Sequence, residues 1–337
     1  SLADGSAAAP SLSNTGDLNT GLLFPAADTV GVSVGGTQRL TVGTSGVTVN
    51  GDLATTTSGT SNFVAGVNAG NSITSGGNYN VTVGDEAGTA LTVGGSNTAV
   101  GFDSLKADTK GSHSVAVGVG ALYAQNFTSA TDAYNVAVGR SAGVAVTTGV
   151  RNTLIGGLSG AAMTTGDRNV AVGATSLDAC TEGQYNVAVG NDALTTLTTG
   201  DRNTAVGLQA GAAITTGSKN TFIGSDAGDA TTTASNNTAV GEAALSANTT
   251  GASSTALGYA ALFANTTAGS NCALGAYALT ANTTGTNNCA VASSLVTNTT
   301  GVNNTAVGNN ALYYNTTGTD NNAFGLSTLQ ACTTGYN

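Results

Sequence analysis

One short unit, Asn-Thr-Ala-Val-Gly followed by Ala-Leu and Thr-Thr-Gly, recurs along most of this chain at a nearly fixed spacing. Its Asn position falls at Asn80, Asn97, Ser114, Asn135, Asn152, Asn169, Asn186, Asn203, Asn220, Asn237, Ser254, Asn271, Asn288, Asn304 and Asn321, after a weaker first copy at Asn62. Twelve of the fifteen intervals are 17 residues. A register held this long requires an architecture in which each unit stacks on the one before. The unit is too short for a helix pair, which takes about 34 residues. Its glycines and β-branched residues fit short strands and tight turns. The chain therefore reads as all-β, a parallel β-solenoid (β-roll) with one 17-residue unit per coil. Sixteen coils at about 4.8 Å each give a rod of roughly 75 Å.

Three intervals deviate. The step from Asn62 to Asn80 is 18, with an extra glycine near Gly76 and Gly77. The step from Ser114 to Asn135 is 21, which places four inserted residues between Tyr123 and Tyr134. The step from Asn288 to Asn304 is 16, where Ala292 replaces the motif glycine. The last unit stops part-way at Asn337, so the repeat is expected to continue beyond it.

The phase within a coil makes further predictions. Branched residues precede the motif glycine (Val172, Val189, Val206, Ile223), with Thr or Val two places earlier and Ala between. Strand side chains alternate, so the branched pair shares one face and Ala takes the other. With both faces apolar, the strand is expected to be covered on both sides, and the small Ala face is expected to approach another subunit. The predicted assembly is an intertwined or side-by-side homotrimer. Leu four places after the glycine should fill a second corner of the coil, and the glycine of Thr-Thr-Gly should adopt positive φ. The Asn column should form an amide ladder between coils.

Composition supports this reading. Charged residues make up 8% of the chain, against a usual share of about 25%, and aromatics 5%. That is too little for an ordinary core, yet 40% hydrophobic content is too much for a disordered chain. A net charge of −10 argues against nucleic acid as a partner. No apolar run reaches transmembrane length, so no membrane insertion is expected. Residues 1–58 hold both prolines, Pro10 and Pro25. Their alternating apolar pattern broken by Gly predicts β-hairpins or interwound strands, a connector ahead of a solenoid spanning 59–337.

The Asn-Thr-Ala-Val-Gly units resemble the head repeats of trimeric autotransporter adhesins, where a similar Asn-Ser-Val-Ala-Ile-Gly motif builds a left-handed parallel β-roll trimer. The opening Asp4-Gly5-Ser6-Ala7-Ala8-Ala9-Pro10-Ser11, with Thr15-Gly16-Asp17 and Gly36-Thr37-Gln38-Arg39-Leu40, resembles segments of bacteriophage tail-fibre proteins. Together these imply an extracellular fibre protein, on a virion or a cell surface, and imply architecture more than function.

Several residues invite a chemical reading. Asp103, Asp192 and Asp226, with Glu86, share one phase; Asp192 and Asp226 lie two coils, or about 10 Å, apart. That is near an inverting glycosidase pair, but a solvated column is the plainer reading, and no Asp-x-Asp-x-Asp calcium loop occurs. His113, the only histidine, stands beside Ser112 and Ser114 without an evident acid partner and reads as an exposed turn residue. Arg151, Arg168, Arg202 and Lys219 form a column with Tyr185. Such a ladder fits anionic glycans, but with Asp167 and Asp201 preceding two of its members local ion pairing is the plainer reading. Cys272 and Cys289 hold one phase in adjacent coils, close enough for a disulfide, although packing in place of Thr is simpler. The Thr-Thr columns raise ice binding, but alternation within a strand would turn only one Thr of each pair outward. Insertions in solenoids tend to lie on the binding face, which makes Tyr123, Phe127 and Tyr134 the candidate receptor contacts. Phe127 capping the disturbed coil is the competing reading.

The chain is therefore expected to be a fibre segment of a phage tail or similar appendage, not an enzyme, that spaces or presents a host-recognition surface. The alternative is a bacterial surface adhesin or extracellular filament subunit. No cofactor or metal is expected. Expected partners are further copies of the chain, other fibre or virion proteins, and a host-surface glycan or protein.

Overall fold

The computed structural model describes residues 3–49 and 57–335. The chain divides into two compact units, Ser1–Thr56 and Thr57–Asn337, each considered on its own below. The expected boundary near residue 58 falls beside residues 50–56, which lie outside the described residues.

The first unit is an antiparallel meander of five strands, Leu12–Asn14, Asp17–Leu23, Val30–Val34, Thr37–Gly43 and Gly46–Val49, paired in chain order. Hairpins are thus what the alternating pattern produces. Among its described residues Leu23 is the one buried hydrophobic side chain, while Leu18 and Val47 are exposed.

The second unit is the solenoid. Sixteen three-residue strands, from Phe63–Ala65 to Asn322–Phe324, form one parallel sheet in chain order. Successive units pair in register, with Val187 opposite Thr204, Ala188 opposite Ala205 and Val189 opposite Val206. No helix occurs among the described residues. The rest of each coil is bends and turns held by bonds between coils. Counting Asn as position 1, these turns demand unusual backbone. Position 5, the motif glycine, has φ between +113° and +140°, and positions 7, 9 and 17 adopt left-handed conformations even for Leu, Asp and Arg.

The predicted faces are inverted in one respect. Ala at position 3 is fully buried inside the coil, as at Ala171, Ala188 and Ala205, so it does not approach another subunit. The branched residues at positions 2 and 4 face outward and are half-buried to exposed. The reason is volume. The interior already holds Leu at position 9 and another side chain at position 12, which leaves room only for a methyl from the strand. Where position 3 is large, position 9 shrinks: Leu154 faces Gly160, and Phe222 faces Gly228.

A second correction concerns the glycine of Thr-Thr-Gly. Its φ is not positive at Gly149, Gly166, Gly200 or Gly217. Glycine is favoured there by close approach, since a Cβ on Gly200 would sit 2.2 Å from the Gly217 carbonyl oxygen. Ala234 and Ala268 occupy the same position in two coils, so this demand is relative rather than absolute.

The position-1 amides form the expected ladder, and each does more than bridge coils. Asn203 Oδ1 accepts from the backbone N–H of Asn220 at 3.0 Å, and its Nδ2 donates to the Gly217 carbonyl at 2.9 Å, closing its own coil. At the C-terminal end position 12 changes from apolar residues to Asn248, Asn265, Asn282, Asn298 and Asn315, a second buried ladder with links of 2.8–3.0 Å. It stops where Cys332 takes that position, and Asn315 Oδ1 has no partner among the described residues. The sequons at Asn248, Asn265 and Asn315 are therefore buried ladder members. Replacing Asn203 by Ala strips Gly217 and Asn220 of these partners and is expected to cost about 2–3 kcal/mol. Asn203→Ser should cost about half as much, because Ser254 keeps such an acceptor, taking the Asn271 N–H at 3.3 Å. Denaturant midpoints compare them, and equal losses would contradict the ladder's role.

Candidate functional site

The inserted residues do not leave the coil as a free loop. Gly111–Ser112 and Thr131–Asp132 pair as a short parallel ladder of their own. Phe127 is buried, at 6% exposure, and packs where a Cβ on Gly111 would meet its ring at 2.8 Å. It therefore offers no surface to a receptor, and its place among the candidate contacts is corrected. Tyr123 and Tyr134 are exposed but at different phases of the coil. Tyr123 lies under Lys106, whose Nζ is 5.8 Å from the ring centroid, and Tyr134 stacks on His113 at 5.0 Å.

What anchors the insertion is a buried polar cluster that sequence reasoning missed. Asp108 Oδ1 accepts from the Gly111 and Phe127 backbone N–H groups, and Oδ2 accepts from Gln125 Nε2 at 2.6 Å. Gln125 also donates to Ser114 Oγ and accepts from Asn135 Nδ2. Excising residues 125–128 would therefore remove the link between three coils. The signal was present: Asp108 and Gln125 stand at position 12, which the flanking coils fill with Ile73, Leu91 and Val146. No cation pairs with Asp108 among the described residues, and burial pushes its pKa above the usual carboxylate value, outweighing the hydrogen bonds from Gln125 and the backbone. The folded state thus holds this proton more tightly than the unfolded chain, so its contribution is favourable at low pH and is lost as pH rises through the raised pKa. We expect the stability difference, wild type minus Asp108→Asn, to fall between pH 3 and pH 7. A flat difference in urea titrations would contradict this.

His113 does have an acid partner. Its Nδ1 lies 3.1 Å from Asp132 Oδ1, supplied by the insertion. No nucleophile completes a triad, since Ser112 Oγ accepts from the Gly95 N–H and Ser114 is buried against Gln125. The acidic phase falls on a left-handed turn position, with φ of 55–60° at Glu86, Asp103, Asp192 and Asp226. Short polar side chains tolerate that conformation, which accounts for Asp there. Glu86 and Asp103 pair with Lys106, and Asp192 accepts from Thr175. No cluster of three metal-ligating side chains occurs among the described residues.

The Thr-Thr pairs sit in bends, not strands, so both side chains turn outward. The first Thr uses its hydroxyl on the next coil's carbonyl, as in Thr164 to Thr181 and Thr198 to Thr215. One rank of free hydroxyls results, for a different reason than strand alternation. Cys272 and Cys289 pair across adjacent strands as free thiols. Cys180 is also free, and burial pushes its pKa up to about 11.

The basic column is not paired. Asp167 and Asp201 each accept from the backbone of the preceding coil, at Val150 and Gln184, both at 2.7 Å. The ion pairs among the described residues involve Lys106 and His113 alone. The expected local ion pairing is thus corrected: the carboxylates clasp the backbone, and the column's cations have no carboxylate partner among the described residues.

These features define a parallel β-solenoid repeat protein with a short antiparallel N-terminal unit. No protein family, curated protein or solved structure matches the chain.

Proposed function

We propose that this chain is a structural segment of an extracellular fibre, a phage tail fibre or similar appendage, assembled as a parallel homotrimer that spaces or presents a host-recognition surface. The observation that carries the reading is the unbroken in-register sheet of sixteen strands, which makes the repeat region a stiff element with one direction. Its outward stripe supports association. Positions 2 and 4 carry Thr or Val beside Val, Ile or Leu, and Ile155, Ile223 and Leu257 are 38–47% exposed. The first unit supports it too, since a sheet in which Leu23 is the one buried hydrophobic among the described residues gains by being covered. A bacterial surface adhesin remains the second reading, favoured by the Asn-Thr-Ala-Val-Gly motif. Mass measurement in solution tests the assembly, and a stable monomer at micromolar concentration overturns the trimer. Gold-labelled antibodies against the chain test its place: labelling of phage tails supports the fibre, and labelling of bacterial envelopes supports the adhesin.

A further inference from the structure

Position 17 of the coil is a left-handed turn, filled by Ser96, Asn236, Ser253 and Asn287 in much of the solenoid. Small polar residues suit it. In five consecutive coils it instead carries Arg151, Arg168, Tyr185, Arg202 and Lys219, all exposed. These are four of the eight cationic residues in a chain of net charge −10. Side chains with a Cβ and a long stem gain nothing locally from that backbone, and like charges stacked in adjacent coils repel. None has an ion-pair partner among the described residues. Tyr185 organises the column. The guanidinium carbons of Arg168 and Arg202 lie 5.3 and 5.5 Å from its ring centroid, and Arg168 donates to its hydroxyl at 3.0 Å. Two guanidinium groups are thereby held two coils, about 10 Å, apart along the solenoid axis.

We propose that this column binds a linear acidic polysaccharide lying along the solenoid axis. A row with about one cationic site per coil, or roughly 5 Å, suits a polymer carrying an anionic group on every sugar or every second sugar. Arginine pairs with carboxylate or sulfate through two parallel N–H donors. Binding relieves the repulsion within the column. Asp167, Asp201 and exposed Glu182 lie beside it and hold the site's net charge low, so affinity depends on a ligand that tracks the column. Duplex DNA, with a charge every 1.7 Å or so, would set most of its phosphates against the acidic remainder of the chain. This inference goes beyond the fibre reading and does not rest on it.

The test uses the full chain with four probes: alginate for carboxylate, heparin for sulfate, dextran as a neutral control, and duplex DNA. Alginate, heparin or both should bind at low ionic strength and weaken with salt, while dextran and DNA should not. The variant R151Q/R168Q/R202Q/K219Q should lose about tenfold or more in affinity with its thermal midpoint kept, and K110Q/R140Q, which removes two cations elsewhere, should not. If the fourfold variant fails to fold, R168Q and R202Q singly should each weaken binding by at least threefold or so. Failure of both acidic glycans to bind, an equal loss in K110Q/R140Q, or DNA binding as tight as the glycan overturns the proposal.

Discussion

Replacing Gly207 by alanine is expected to break the solenoid locally, at a cost of roughly 3–6 kcal/mol, combining backbone strain and overpacking. Gly207 has φ +139°, and a Cβ there would lie 2.4 Å from the carbonyl oxygen of Gly224 in the next coil. Both penalties act on backbone that cannot move without shifting the coil above. Residues with a Cβ reach positive φ only near +50 to +70°, far from this value. The chain itself performs the control experiment at Ala292, the one non-glycine in the column. There φ is +64°, and the coil closes one residue short. A methyl at this position is thus accommodated by changing the length of the coil, which a point substitution cannot do. Gly217→Ala is the comparison: a Cβ there would also crowd a carbonyl, that of Ala234 at 2.3 Å, but its φ is not positive and Ala234 carries a methyl at the same phase of the next coil. Only the overpacking penalty then applies, and the cost should be smaller, about 1–3 kcal/mol. Because each coil touches only its neighbours, the damage from Gly207→Ala should appear as faster hydrogen exchange across residues 190–224, with distant coils protected. Equal effects of the two substitutions would remove the distinction between a forbidden φ and a close approach.

That contrast also marks how far the sequence alone could be read. The spacing of Asn169, Asn186 and Asn203 fixes coil length, strand phase and stacking direction, because a repeat has to place equivalent residues on equivalent atoms. It does not say which strand face points inward when both are apolar. Ala188 and Val189 could exchange roles until the volume of Leu194 and Leu197 inside the coil is counted. Nor does it separate two glycine columns that look alike in composition, since Gly207 answers a dihedral demand and Gly200 a steric one. The insertion was legible as a length change and illegible as a site. Aromatic residues drew attention to Tyr123, Phe127 and Tyr134, whereas the organising residues are Asp108 and Gln125, polar side chains at a core position. The basic column was visible as a phase, but its freedom from ion pairing depends on where the carboxylates of Asp167 and Asp201 turn, which only coordinates reveal.

Position 3 and position 9 share one volume inside the coil, and this predicts a repairable lesion. Phe222 is fully buried, and a Cβ on Gly228 would meet its ring at 2.6 Å. Phe222→Ala alone should therefore cost about 3–5 kcal/mol through lost burial and an unfilled cavity. Gly228→Leu alone should cost about 1–3 kcal/mol by overpacking against the ring. The double variant recreates Ala at position 3 with Leu at position 9, as in Ala188 with Leu194 and Ala239 with Leu245. Leu also adopts the required backbone, since Leu194 and Leu245 have φ of 52° and 57°, close to the 59° of Gly228. The double variant should then recover most of the stability that Phe222→Ala loses, a coupling of about 2 kcal/mol or more in its favour. Denaturant midpoints of the four proteins close the cycle. Additive losses would mean that the coil interior does not exchange volume between strand and turn, and that the pairing of large residues with glycine along the solenoid has another cause.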